Sequence, residues 1–180
     1  MDDFIGIVRG RRSIRRYREK EIPEQFINQI LESVQWCPSW SNTQCWEIIV
    51  VRTPAQKERL HGLLNDTNPS KKAIIQAPVV IAICGKTKSA GYFKGKALTK
   101  FKDWFMFDLG IATQTLCLTA CSLGLGTVIV GMFDHGKAKE VLKVGEEYEV
   151  IALIPMGYPA KDSRAPKRRE INEFMHNETF

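Results

Sequence analysis

Apolar positions along the chain recur at two spacings, and the switch between them outlines helices separated by short strands. Phe4, Ile5 and Val8 share one face of a short helix read over residues 2–9, with Gly10 as its stop. Pro23 is suited to a first helical position, and Phe26, Ile27, Ile30, Leu31 and Val34 then recur at helical spacing until Trp36, ahead of Pro38. The β-branched run 46–51 predicts a buried strand. Thr53-Pro54-Ala55-Gln56 has the form of a capping box, with Leu60, Leu63 and Leu64 as the stripe of the helix it opens. A brief helix is expected over 70–76 and a second strand over 78–84. Residues 85–98 are rich in Gly, Lys and Ser and predict a flexible excursion, a kind of segment that often carries function.

A long helix is expected over 99–122. It is apolar around most of its circumference, with Phe101, Trp104, Phe105, Leu109, Ile111, Ala112 and Leu116, so it must be buried on several sides. A chain of this size can hardly wrap such a helix alone, which points to a subunit interface. Gly124 and Gly126 end it. A third strand follows over 127–130, a helix capped by Asp134 runs to Leu142, and a fourth strand covers 150–156. Strands and helices alternate with helices in excess, which predicts an α/β or α+β sandwich with helices on a small sheet.

The 180 residues fit one domain, 1–180, with a sizeable core. No apolar stretch reaches the roughly 20 residues of a membrane span. The acidic start does not open like a secretory signal, so the expected location is cytoplasmic. Five cysteines without a CxxC pair predict reduced thiols, mostly packed in the interior. His61, His135 and His176 stand apart, without metal-ligand spacing. The net charge of +6 permits an anionic partner without naming one. Much of the excess sits at the ends, from Arg9 to Lys20 and from Lys161 to Arg169.

Four stretches offer candidate chemistry. Arg11-Arg12-Ser13-Ile14-Arg15 combines planar bidentate donors with a hydroxyl, either a grip on one anionic ligand or a basic surface loop. In Pro38-Ser39-Trp40-Ser41-Asn42-Thr43-Gln44-Cys45, Asn42 and Gln44 each offer a donor and an acceptor. Those groups suit a flat heterocycle with an amide-like edge, or a loop that satisfies only its own backbone. No GxSxG elbow is present to make Ser39 or Ser41 a nucleophile. Leu123-Gly-Leu-Gly-Thr-Val-Ile-Val-Gly131 does not have the form of a dinucleotide fingerprint. Its Gly131, after a strand, leaves either room for a ligand at the backbone or a plain turn. The fourth stretch is the end, Gly157-Tyr158-Pro159 and then Pro166-Lys167-Arg168-Arg169, which alone could be a disordered basic tail.

Taken in order, RRSIR at 11–15, PSWSNTQCWEIIVV at 38–51, DLGIATQTLCLTACSLGLGT at 108–127, and GYPA with PKRR at 157–169 resemble the compact branch of the FMN-dependent nitroreductase superfamily. The resemblance implies an α+β sandwich, a small, mostly antiparallel central sheet flanked by helices in an intertwined homodimer. It also implies FMN, tightly bound where the subunits meet. Arg11, Arg12, Ser13 and Arg15 would serve its phosphate, ribityl chain and pyrimidine edge. Pro38, Ser39, Trp40, Asn42 and Gln44 would reach the flavin from the other subunit, Val130 and Gly131 would lie near its reactive edge, and Lys167 and Arg169 would return to the phosphate. The implied activity is that of an oxidoreductase. It would pass a hydride from NAD(P)H to a small acceptor such as a nitroaromatic or quinone in ping-pong turnover. The flavin would supply the hard chemistry and no side chain need act as nucleophile.

The sequence departs from the commoner pattern of that family. Cys45 stands where proline is usual, Trp40 is bulkier than the usual occupant, and Val130 replaces an acidic residue found in some members. A flavin-contacting lysine of some members has no secure equivalent, although Lys71 and Lys72 are nearby. The substrate is therefore open, and dehalogenation, ring reduction or flavin fragmentation are alternatives on the same fold. A nucleic-acid module is the reading from another class. The basic clusters lack interleaved aromatic residues and match no nucleic-acid motif, which counts against it. The expected partners are a second copy of the chain and a small acceptor, with no membrane and no nucleic acid.

Overall fold

The computed structural model describes residues 4–180. The start of the first expected helix, residues 2 and 3, lies outside the described residues. From Phe4 that helix, α1, runs to Gly10. Helix α2 spans Glu24–Gln35, with Pro23 as the residue just before it rather than its first turn, and buries Ile27, Ile30 and Val34. Strand β1 is Trp46–Val51 and α3 is Pro54–His61, whose Thr53 hydroxyl accepts a hydrogen bond from Gln56 N as the capping pattern requires. Helix α4 is Lys71–Gln76 and β2 is Val79–Lys86. A small hairpin follows, β3 Tyr92–Phe93 and β4 Lys96–Ala97. The long helix α5 is Phe105–Ser122, β5 is Gly126–Thr127, α6 is His135–Leu142 and β6 is Tyr148–Gly157.

Four strands make one antiparallel sheet in the order β1-β2-β6-β5. The two central strands are buried on both faces, which explains their unbroken apolar runs. Val79, Ile81 and Ile83 of β2 and Ile154 and Met156 of β6 pack with α2 and α5. Val80, Ala82 and Cys84, with Leu153, face the other way and pack with Leu60, Ile74 and Ala138 of the shorter helices. The sheet therefore lies between two helical layers, the α+β sandwich expected from the sequence.

Three elements differ from the expectation. The long helix starts at Phe105 and not at 99, because Lys102 adopts a left-handed conformation (φ 59°) and Trp104 N donates to Ala90 O, closing the hairpin arm instead. The third strand shrinks to two residues. On the β5 side of β6 stands Pro155, whose carbonyl accepts from Val128 N but which has no N–H to return, so the ladder breaks there. Val130 rejoins it as a single bridge to Leu153. Strand β1 is an edge strand and only its Val51 is buried.

Helix α5 has the length and apolarity of a candidate membrane span. Here Leu109, Ala112, Leu116 and Ala120 are buried against α2 and β2, while Met106 and Phe107 stay exposed. All five cysteines are free thiols, four buried and Cys121 half-buried, as expected.

Candidate functional site

Residues 11–18 run as an extended segment that is stitched to two parts of the protein. Ser13 bridges Thr127 in parallel and Ile14 N donates to Thr127 O at 2.8 Å. Ile14 packs on Gly126, where a β-carbon would come within 2.5 Å of its side chain, so this position has room only for glycine. The Tyr17 hydroxyl lies 2.6 Å from Ile14 O and 2.8 Å from Pro155 O, and burial raises its pKa, so it holds its proton and pins the segment to β6. Beyond it residues 16–18 and 158–160 lie side by side, with Arg18 N donating to Tyr158 O and Ala160 N to Arg16 O.

Two adjoining cavities border this seam. One, of about 580 Å³, is lined by Ser13, Arg15, Arg16, Lys72 and residues 160–163. The other, of about 310 Å³, is lined by Arg11, Arg12, Cys121, residues 124–127 and residues 161–163. Both volumes lie in the range of sites for small ligands. Arg12 is turned partly to structural use, since its guanidinium donates to the carbonyls of Arg9 and Arg11 at the end of α1. Its Nε is buried without a partner among the described residues. Of the two lysines noted in the sequence, Lys71 pairs with Asp66 at 2.6 Å, whereas Lys72 lines the larger cavity.

Arg15 is tied to the end of the broken strand by a chain of hydrogen bonds. Its Nε donates to Ser70 Oγ at 3.1 Å, Ser70 N donates to Asn68 Oδ1 at 2.9 Å, and Asn68 Nδ2 donates to Met132 O at 3.0 Å. The ring of His135 lies between the carbonyls of Gly131 and Val150, 3.0 and 2.8 Å from its two nitrogens. The carbonyls of Gly131 and Met132 are thus both held on the protein side. Their N–H groups have no partner among the described residues, and a β-carbon on Gly131 would meet nothing within 4 Å. Val130 itself is buried, exchanging both backbone hydrogen bonds with Leu153 at 2.9 Å.

The loop 38–45 is built by other means. Ser41, Asn42 and Gln44 all have positive φ (45°, 54° and 46°), which costs on the order of 1–3 kcal/mol per residue and persists only where surroundings enforce it. Enforcement comes chiefly from Asp108, which is 2% exposed and accepts Trp40 N at 3.1 and 3.2 Å on its two oxygens. It also accepts the Cys45 thiol at 3.5 Å. Burial, then the Asp108 charge, push the Cys45 pKa up to about 12, so the thiol stays a donor. Ser39 Oγ accepts Gln44 N at 2.9 Å, and Gln44 Nε2 donates to Asn42 Oδ1 at 3.3 Å. Trp40 leans on Trp104 at 5.1 Å between ring centroids.

The structure brings Arg11, Ser13 and Arg15 together with the 157–163 turn, and links Arg15 to residues 131–132. It does not bring Pro38, Asn42 and Gln44 to them. Those three line a separate cavity of about 440 Å³ with Trp36 and Cys37. Lys167 and Arg169 lie on an exposed tail, Arg169 over the Phe174 ring at 5.7 Å, and Lys161 takes the tail's place at the cavities. Sequence reasoning missed Asn68, Ser70, Asp108 and Lys161. Asp108 left a signal, being the one charge in an otherwise uncharged 18-residue helix.

The nitroreductase family model matches residues 8–158, a span that includes the basic segment, the strained loop, the strand end and most of the sheet. The chain belongs to the nitroreductase family. Among its relatives is a Methanothermobacter thermautotrophicus protein whose name pairs NADH dehydrogenase with NAD(P)H nitroreductase. It is 30% identical over 164 residues, covering 89% of this chain and 79% of the relative. A Bacillus subtilis FMN reductase [NAD(P)H] is 29% identical over 196 residues, covering 100% and 75%. The fold matches that of an Exiguobacterium sibiricum nitroreductase-type protein solved in complex with FMN, with a TM-score of 0.85, 23% identity and coverage of 99% and 98%. Within this nitroreductase-family chain the residues fit such a group. A phosphate would find guanidinium groups and Ser13, and a ring edge would find the open N–H groups of Gly131 and Met132.

Proposed function

We propose that this nitroreductase-family protein is an FMN-dependent oxidoreductase, working as a homodimer, that passes electrons from NAD(P)H to a small organic acceptor such as a nitroaromatic or quinone. The observation that carries the reading is the meeting of two basic segments distant in sequence. Segments 11–18 and 158–163 hydrogen-bond side by side and line cationic cavities, which are tied to the strand end through Asn68 and Ser70. The FMN reductase relative and the FMN-bound neighbour support the choice of cofactor.

When bound, FMN supplies the hydride chemistry. The chain supplies grip, orientation and field. Arg11, Ser13 and Lys161 hold the phosphate, with Arg12 contributing charge from behind. Arg15, steadied by Ser70, places a positive charge where two-electron reduction makes the ring negative. Asn68 and His135 hold the 131–132 backbone so that its N–H groups point outward as donors. Pro38, Ser39, Trp40, Asn42 and Gln44 act on the site of the other subunit, which fits their separation from the cationic cavities within one chain. The exposed apolar residues of α1 and α5 (Phe4, Ile5, Met106 and Phe107) supply surface for a symmetric contact.

Purified protein is expected to be yellow, with about one FMN per subunit. Anaerobic NADPH or NADH should bleach it, and a quinone or nitroaromatic should restore the colour. Apoprotein that fails to retain added FMN would end the reading. Halogenated phenols and enones as acceptors separate the general reductase from a specialised one. Mixed Arg11→Ala and Asn42→Ala proteins should regain activity, because one of the two sites in a heterodimer is intact. No recovery after proven subunit exchange removes the shared site.

A further inference from the structure

The excursion after β2 has no role in the function described so far. With Lys86 at the end of β2, it carries Lys88, Lys94, Lys96, Lys100 and Lys102, all six exposed. One carboxylate follows, Asp103, and it is engaged within the arm, accepting Lys88 N at 2.7 Å and the Tyr92 hydroxyl at 3.3 Å. None of the six ammonium groups forms an ion pair among the described residues. The arm is a positioned structure rather than a tether. Ala90 is fully buried, Leu98 N donates to Gly91 O at 2.8 Å, and the Trp104 indole donates to Thr99 Oγ1 at 2.7 Å. Gly91 has positive φ, and a side chain there would strike the Lys102 carbonyl and the Trp104 ring. Through Trp104, which packs at a tilt on Trp40, the arm stands beside the 38–45 loop that we assign to the flavin.

Solubility alone explains lysines but not the phenyl rings set among them. Phe93 is 62% and Phe101 68% exposed, with Lys94 and Lys100 over their faces at 5.5 and 4.9 Å. Lysines set beside solvent-exposed phenyl rings suit a ligand that has both phosphates and a flat ring, the mobile ammonium groups swinging to the phosphates as the ring takes their place. A symmetric subunit contact through this arm would set like charges against each other. We propose that the arm takes the phosphate-bearing half of the nicotinamide dinucleotide, the lysines meeting its phosphates and the phenyl faces its adenine. The dinucleotide with a 2′-phosphate, which carries up to about two more negative charges, is then the preferred reductant. This rests on the reading that a nicotinamide dinucleotide reduces the flavin.

The test uses the flavin-loaded protein and the triple variant Lys94→Ala/Lys96→Ala/Lys100→Ala. It reads KM for NADPH and for NADH at several salt concentrations, and calorimetric binding of adenosine 2′,5′-bisphosphate. In the variant, KM for NADPH should rise about 10-fold and bisphosphate affinity should fall about as much, three exposed charge contacts each giving a modest factor. The salt dependence of KM should flatten, and KM for NADH should move less than about 3-fold. The kcat, flavin content and melting temperature should hold, since these side chains pack on nothing buried. Unchanged KM for NADPH with unchanged bisphosphate binding overturns the proposal, and so does an equal rise for both dinucleotides. A fluorescent single-stranded oligonucleotide that binds more tightly than the bisphosphate, and is lost in the variant, also overturns it by making the arm a nucleic-acid surface. Flavin retention by the parent protein is read separately. Protein that fails to retain added FMN yet still binds the bisphosphate through these lysines refutes the flavin-dependent reading and leaves the arm's chemistry standing.

Discussion

The basic segment 11–18 and the loop 38–45, which we propose serve one cofactor, are built on opposite principles. In the first the backbone is at ease, extended and paired to Thr127, Tyr158 and Pro159, and function resides in side-chain charge. In the second the backbone itself is shaped, with three left-handed residues and no charged side chain from 38 to 45. A sheet-like edge can present guanidinium groups at no conformational cost, because its hydrogen bonds are already made. A loop that must present small polar groups at a set angle needs an outside constraint, and Asp108 on α5 is that constraint. The comparison teaches where each region is vulnerable: the first to loss of charge, the second to loss of one buried carboxylate that never touches the ligand.

Removing Asp108 should therefore give the largest effect. Asp108→Ala leaves the Trp40 N–H and the Cys45 thiol without their acceptor in a buried place, and should cost about 2–4 kcal/mol of stability. Flavin content should fall with it, while Asp108→Asn, which keeps an acceptor oxygen, should recover part of both. Thermal unfolding beside absorbance-based flavin content reads the two together. A variant with normal stability and normal flavin content would show that the loop holds its own shape.

Arg15→Ala probes the other region and should separate the two readouts. FMN affinity is expected to drop about tenfold, the size of one lost charge-assisted contact, with little change in melting temperature. Flavin reduction should also slow. Stability loss without affinity loss would reverse the roles assigned to the two regions. Ser70→Ala should act in the same direction by about threefold, since it frees the Arg15 guanidinium without removing it, and Ser70→Thr should restore the affinity by keeping the hydroxyl.

The same contrast explains what could be read from the chain beforehand. The basic segment was legible because charge pattern is a property of neighbouring residues, and the central strands because their apolar runs need no partner to be recognised. The α3 and α6 caps were legible for the same reason, Thr53 and Asp134 each binding a backbone N–H three residues on. Asp108 acting on Trp40 joins residues 68 positions apart, and Asn68 acting on Met132 joins residues 64 apart. No local spacing contains either relation. The misplaced start of α5 has a similar cause. Phe101 and Trp104 continue the apolar pattern of the helix, and what takes residues 99–104 out of it is hydrogen bonding to Ala90 and packing on Gly91, which only the folded arm supplies.

The smallest expected effect sharpens the comparison at its most unusual residue. Cys45 contributes one weak thiol donor to a carboxylate already bonded to Trp40, so Cys45→Ala should cost about 1 kcal/mol at neutral pH and leave flavin affinity nearly unchanged. The pH dependence follows from the raised pKa. An unfolded thiol ionises near 9, whereas in the folded protein Cys45 holds its proton to about 12. Well below pH 9 both states are protonated and the contribution is present in full. Between about 9 and 12 the unfolded state releases a proton that the folded state retains, so stability falls as pH rises. Chemical denaturation of parent and variant at pH 7, 9 and 10.5 reads this as a difference that narrows by pH 9 and changes sign by 10.5, since about 1.5 pH units of linkage is roughly 2 kcal/mol. A difference that stays constant would mean that the thiol senses neither burial nor Asp108, and that Trp40 N alone fastens the loop to α5.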